Sequence, residues 1–256
     1  MHDTGYDHWS TTATVTAGGT TALEFGRAAW GPVRYLPWVQ GGTIGFDTSG
    51  MIADPLLSGR DGTIDASATL YRDGKAVASR SGLGTSPSVP GPTTFTAPVT
   101  TSAAYTLKVH ASRFVDGVQQ PAGMMSTATD AAFSFHAGPA SNAVAPAFLT
   151  RFVPAGLDRF NRAPSGRATT IPLVLDRTST RAGVPLWPAT VKTVEVFASP
   201  DGGRTWQPLH VTRTAAGWTA DLSAQKAATE ISLSARVTDT GGNRTVSTVY
   251  RAFLTD

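Results

Sequence analysis

Ser199-Pro200-Asp201-Gly202-Gly203-Arg204-Thr205-Trp206 is a compact turn sequence between two runs of strand-forming residues. It fits the spacing S-x-D-x-G-x-T-W, which builds a tight reversal between two strands and not a catalytic site. Asp201 is placed to accept hydrogen bonds from amides of its own turn, and Thr205 completes the pattern. The glycines, Gly203 among them, supply positive φ where a side chain would be strained. Trp206 is expected to pack the outgoing strand onto a core. The flanks agree: Val191 to Ala198 and Trp206 to Val211 read as the two strands that the turn joins.

Further along, Trp218, Ala220 and Leu222 alternate with Thr219, Asp221 and Ser223, which marks a half-buried strand. Ile231, Leu233, Ala235 and Val237 alternate with Ser232, Ser234, Arg236 and Thr238 in the clearest strand of the chain. A turn at Asp239-Thr240-Gly241-Gly242-Asn243, with Asp239 and Gly242 as its turn formers, returns the chain into Val246 to Leu254. Ile171 to Leu175 and Phe148 to Val153 complete six or seven short strands. That number suits an immunoglobulin-like or fibronectin type III-like sandwich.

Upstream, Ala68 to Tyr71 and Ala76 to Ser79 flank Asp73-Gly74, a strong hairpin signal. Tyr105, Leu107, Val109 and Ala111 share one face of a later strand, and Phe133 and Phe135 repeat the alternation. Residues 81–92 are rich in Gly, Ser and Pro and read as a loop. Around Gly138-Pro139-Ala140-Ser141-Asn142 the composition turns to small, turn-forming residues. The expectation is therefore an all-β chain of two successive β-sandwich domains, 1–143 and 144–256, with the Asp201 hairpin in the second.

Composition supports this. Glu occurs three times and Lys four in 256 residues, so the usual formers of surface helices are scarce. The excess of 21 Lys plus Arg over 18 Asp plus Glu is small, and the arginines are scattered, which argues against a nucleic-acid partner. No apolar run approaches the roughly 20 residues of a membrane-spanning helix, and the start Met1-His2-Asp3-Thr4-Gly5 lacks the regions of a signal peptide. With no cysteine there is no disulfide and no thiolate ligand.

Chemistry is hard to find. Asp3-Thr4-Gly5 and Gly84-Thr85-Ser86 look like the aspartate and serine motifs of subtilisin-like peptidases, but Met1 and His2 alone precede the first and Pro87 follows the second. The histidine between them, His8, lacks the expected context, so no triad is expected. The five histidines show no metal-ligand spacing, and no metal or cofactor is expected. Acidic residues sit singly at turns. Trp9, Trp30 and Trp38 serve either as core residues or as a stacking platform for sugar rings.

Two likenesses follow from these residues. The octet 199–206 resembles the Asp-box of sialidases, which carry several on propeller blades. This chain has one, so a glycoside hydrolase remnant is the weakest reading. The segments Thr69 to Lys75, Ala104 to Leu107, VEVFASPDGGRTWQPL (194–209) and ARVTDTGGNRTVSTVYRAFL (235–254) together resemble the C-terminal, non-catalytic region of secreted actinobacterial subtilisin-like serine peptidases. That resemblance implies an extracellular setting, a peptidase domain preceding the chain in a longer exported polypeptide, and an accessory role. Its implied partners are that catalytic domain or an extracellular polymer. A carbohydrate-binding or adhesive module is the alternative.

Overall fold

The computed structural model describes residues 29–33, 35–53, 65–84, 92–113, 124–177, 183–215 and 217–256. Among these the chain is all-β, built from antiparallel sheets packed face to face. In chain order the strands are β1 (Trp38–Gln40), β2 (Thr43–Asp47), β3 (Asp65–Arg72), β4 (Lys75–Leu83), β5 (Thr94–Pro98) and β6 (Ala103–Ser112). Next come β7 (Ala128–Ala137), β8 (Ala143–Val144), β9 (Leu149–Phe152), β10 (Arg162–Ala163), β11 (Thr169–Asp176) and β12 (Val191–Ser199). The last are β13 (Gln207–Pro208), β14 (His210–Thr214), β15 (Gly217–Leu222), β16 (Glu230–Asp239) and β17 (Arg244–Thr255).

One nine-stranded sheet runs in the order β13-β12-β16-β17-β7-β6-β3-β4, with β10 paired to β17 in parallel. It therefore crosses residue 143: Arg244 to Tyr250 of the last strand pairs with Ala128 to Ser134 of the first half. Two four-stranded sheets, β5-β2-β1-β8 and β14-β15-β11-β9, cover its inner face side by side. The sequence suggests two sandwiches in succession; the structure draws both over a shared sheet. The reason is that β7 and β17 each have a free edge that the other satisfies, which removes two exposed edges at once.

Two cores result. In the first, Ile44, Phe46 and Phe95 of the small sheet meet Leu70, Leu107 and Phe133 of the long one, with the Phe46 and Phe133 rings 5.4 Å apart and tilted by 44°. In the second, Phe152, Ile171, Leu173 and Ala220 meet Val196, Leu233, Val237 and Phe253. Burying such a side chain contributes roughly 1.5–3 kcal/mol, so these rows hold the layers together. Between the cores the inner face turns polar: Thr129, Thr245 and Ser247 are buried there. Each oxygen that bonds marks a crossing strand of chain. Thr245 Oγ1 accepts the Phe148 amide at 3.1 Å, and Thr129 Oγ1 donates to the Met51 carbonyl at 2.9 Å.

Candidate functional site

The 199–206 turn closes on a local hydrogen-bond cluster. Ser199, fully buried, donates through Oγ to Asp201 Oδ1 at 2.7 Å and accepts the Gly203 amide at 2.8 Å. Asp201 Oδ1 also accepts the Thr205 amide at 2.9 Å, and Oδ2 accepts the Thr205 hydroxyl at 2.6 Å. These donors, the Thr205 hydroxyl foremost and Ser199 next, hold the Asp201 carboxyl well below the usual carboxylate range. Gly203 has φ +89°, and a Cβ there would stand 2.7 Å from Tyr250 Cε1 and 3.4 Å from Trp206 Cζ2. Trp206 is half-buried beside the turn and belongs to neither core, so its packing differs from the expectation. The turn folds toward the outer face of the long sheet and not into the sandwich.

That outer face carries a connected set of polar side chains. Register places Thr248, Asp130 and His110 in one row across β17, β7 and β6, with Tyr250 one step along β17. Asp130 Oδ2 accepts the Tyr250 hydroxyl at 2.6 Å, and Oδ1 lies 2.7 Å from His110 Nδ1, which requires the ring proton on that nitrogen. Burial, then the hydrogen bond to Asp130, then that residue's charge push the Tyr250 hydroxyl above its ordinary value of 10.0. Beside this chain Lys108 lies 5.0 Å above the Tyr71 ring, and both border a shallow groove of about 310 Å³. Hydroxyl pairs continue the face: Thr106 with Ser134 at 3.0 Å, Thr69 with Ser79 and Ser234 with Thr248 each at 2.9 Å. Among the described residues no strand covers it. Such a surface offers hydrogen bonds and aromatic contact to a partner, and register sets Ser67 opposite His110 across β3 and β6, in the same groove.

The other turn residues are structural in their contacts. Asp73 (φ +47°) and Gly74 (φ +79°) form the two-residue reversal between β3 and β4, and both positive angles fit a type I′ turn. The Asp73 amide also donates to the Ala104 carbonyl at 2.9 Å. Asp239 is buried and accepts the Asn243 amide and side-chain amide at 2.8 Å each, while Gly242 at φ +81° makes the bend.

Of the three N-terminal tryptophans, Trp9 lies outside the described residues, as do Asp3, His8 and Ser86. Trp30 and Trp38 are half-buried against the first core. The Arg113 guanidinium sits 4.2 Å from the Trp30 ring centre, and Gly45 is where it is because any Cβ would fall within 1.9 Å of the Trp38 ring. Both indoles are engaged by neighbours in the fold, whereas Tyr71 and Tyr250 stand partly exposed on the outer face of the long sheet. Sequence reasoning missed the Tyr250, Asp130 and His110 chain because its members stand 120 and 20 residues apart. A period-two reading of each strand puts them on the polar face, but only the register joins them. No group of three or more metal-ligating side chains occurs among the described residues. No helix there is long and apolar enough to cross a membrane.

No family model and no curated protein matches this chain. Among solved structures, it is similar to extracellular domains 3–5 of Drosophila OTK, at 11% identity over 88% of this chain and 98% of that one, with a TM-score of 0.20. At that TM-score the likeness says nothing about fold or role.

Proposed function

We propose that this chain is a non-catalytic extracellular accessory region, of the kind that follows the catalytic domain in secreted subtilisin-like peptidases. It meets its partner, that catalytic domain or an extracellular polymer, through the outer face of the long sheet. The observation that carries this reading is the uncovered patch of Tyr71, Lys108, His110 and Asp130 around one groove, held in place by strand pairing on both sides. Large rigid sheets with exposed polar and aromatic side chains suit holding more than turnover, because nothing must move for a partner to dock. The four resembling sequence segments supply the extracellular setting and the peptidase context.

The test uses purified chain. Casein and peptide substrates remain uncut, and Ser86→Ala changes nothing. Hydrolysis that this substitution abolishes refutes the proposal. Co-sedimentation with insoluble cell-wall polymer is the second arm: the Tyr71→Ser/Lys108→Ser double variant loses whatever binding the parent shows, and retention of that binding removes the sheet face from the account.

A further inference from the structure

A second concavity lies at the end of β7, between the 138–143 segment and the turn that joins β16 to β17. It is an open groove of about 790 Å³, within the range of small-molecule sites. Ser102, His136, Asn142, Trp187 and Asn243 supply its polar and aromatic lining, with alanine, glycine and proline between them. None of the lining residues is Lys, Arg, Asp or Glu, in a chain with 21 basic and 18 acidic residues. We infer that this groove binds a neutral saccharide.

The chemistry of the lining argues for that ligand. An indole offers a broad flat surface to the C–H face of a sugar ring, and amide, hydroxyl and imidazole groups match ring hydroxyls as donors and acceptors. An ionic polymer finds no counter-charge here. A peptide adding as a strand needs free backbone groups, yet those beside Trp187 are spent: the Val144 amide donates to the Pro185 carbonyl at 2.8 Å, and the Trp187 amide donates to the Val144 carbonyl at 3.0 Å. The walls are also fixed in advance. Ser141 and Gly138 exchange hydrogen bonds at 2.9 and 3.0 Å, Asp239 holds the Asn243 side chain at 2.8 Å, and Arg177 donates to the carbonyls of Ala147 and Trp187. A site with its shape already set loses less entropy on binding.

The inference goes beyond the proposed accessory role and stands apart from it, since the sheet face can fail while the groove binds. Intact chain is titrated by calorimetry and NMR with cello-, xylo-, malto- and chito-oligosaccharides. At least one binds, and Trp187→Ala weakens it by about tenfold or more. Ala140→Trp, at an exposed lining position, blocks the groove without removing the indole and gives a similar loss; it decides the matter if Trp187→Ala fails to fold. The sheet-face variant Tyr71→Ser leaves binding unchanged. No binding at millimolar sugar, binding that survives Ala140→Trp, or binding restricted to anionic glycans or peptides overturns the inference. Hydrolysis by the purified chain, in contrast, sinks the accessory reading alone.

Discussion

Replacing Tyr250 with Phe removes one hydroxyl and keeps the ring against which Gly203 packs, so the variant isolates the bond to Asp130. A hydrogen bond to a charged partner contributes about 1.5–3 kcal/mol when shielded. The Asp130 side chain is 40% exposed, so water substitutes for part of the loss and the expected cost is about 1 kcal/mol, or about 2–4 °C in melting temperature. Its pH dependence has a definite sign. Folding raises the Tyr250 value above the 10.0 of the unfolded chain, so the stabilisation is complete below pH 10.0 and is lost as pH rises toward the folded value. Urea denaturation of wild type and variant between pH 7 and about 11 therefore shows a gap that is constant up to pH 10.0 and narrows above it. A gap that stays constant, or no gap at pH 7, refutes the assigned bond.

Thr245→Val keeps the shape of a buried side chain but strands the Phe148 amide, so urea midpoints report a loss of about 1–3 kcal/mol, which Thr245→Ser avoids. Equal stability of the two variants would place the seam's polar contact outside the energetics. Asp201→Ala lowers the melting temperature at pH 7. Because folding depresses the Asp201 value below 3.8, its stabilisation is present above that pH and fades as the solution becomes more acidic. The wild-type and variant curves thus converge toward about pH 2, and parallel curves in calorimetry would contradict the hydrogen bonds of the turn.

Much of the fold can be read from single strands. The alternation of Ile231, Leu233, Ala235 and Val237 matches the buried face of β16, and Tyr105, Leu107 and Val109 do the same for β6. Turn chemistry at Asp73-Gly74 and at Asp239 to Asn243 sits where the strands reverse. The strands β1 and β2 escape notice because they are short and joined at Gly41-Gly42 in a stretch with weak alternation. The shared sheet escapes for a better reason. In β17 the residues facing inward at the seam are Thr245 and Ser247, and Val246 faces out, so hydrophobicity points to the wrong face. Burial of the Thr245 hydroxyl is tolerable there because a crossing segment, through the Phe148 amide, satisfies it, while Ser247 Oγ is buried without a hydrogen-bond partner. Long-range partners of this kind are fixed by register and leave no local trace. Likewise the outer-face chain of Tyr250, Asp130 and His110 exists only once β6, β7 and β17 are side by side.

Pairing of β7 with β17 makes one sheet of the chain's two halves. Native-state hydrogen exchange on the intact protein, followed residue by residue in increasing denaturant, tests it most directly. The amides bonding Ala128–Ser134 to Arg244–Tyr250 are expected to exchange through the same opening as the centres of β6 and β16, with one common free energy. Release of the β7–β17 amides in a separate, lower-energy opening, leaving two independently protected halves, would contradict it.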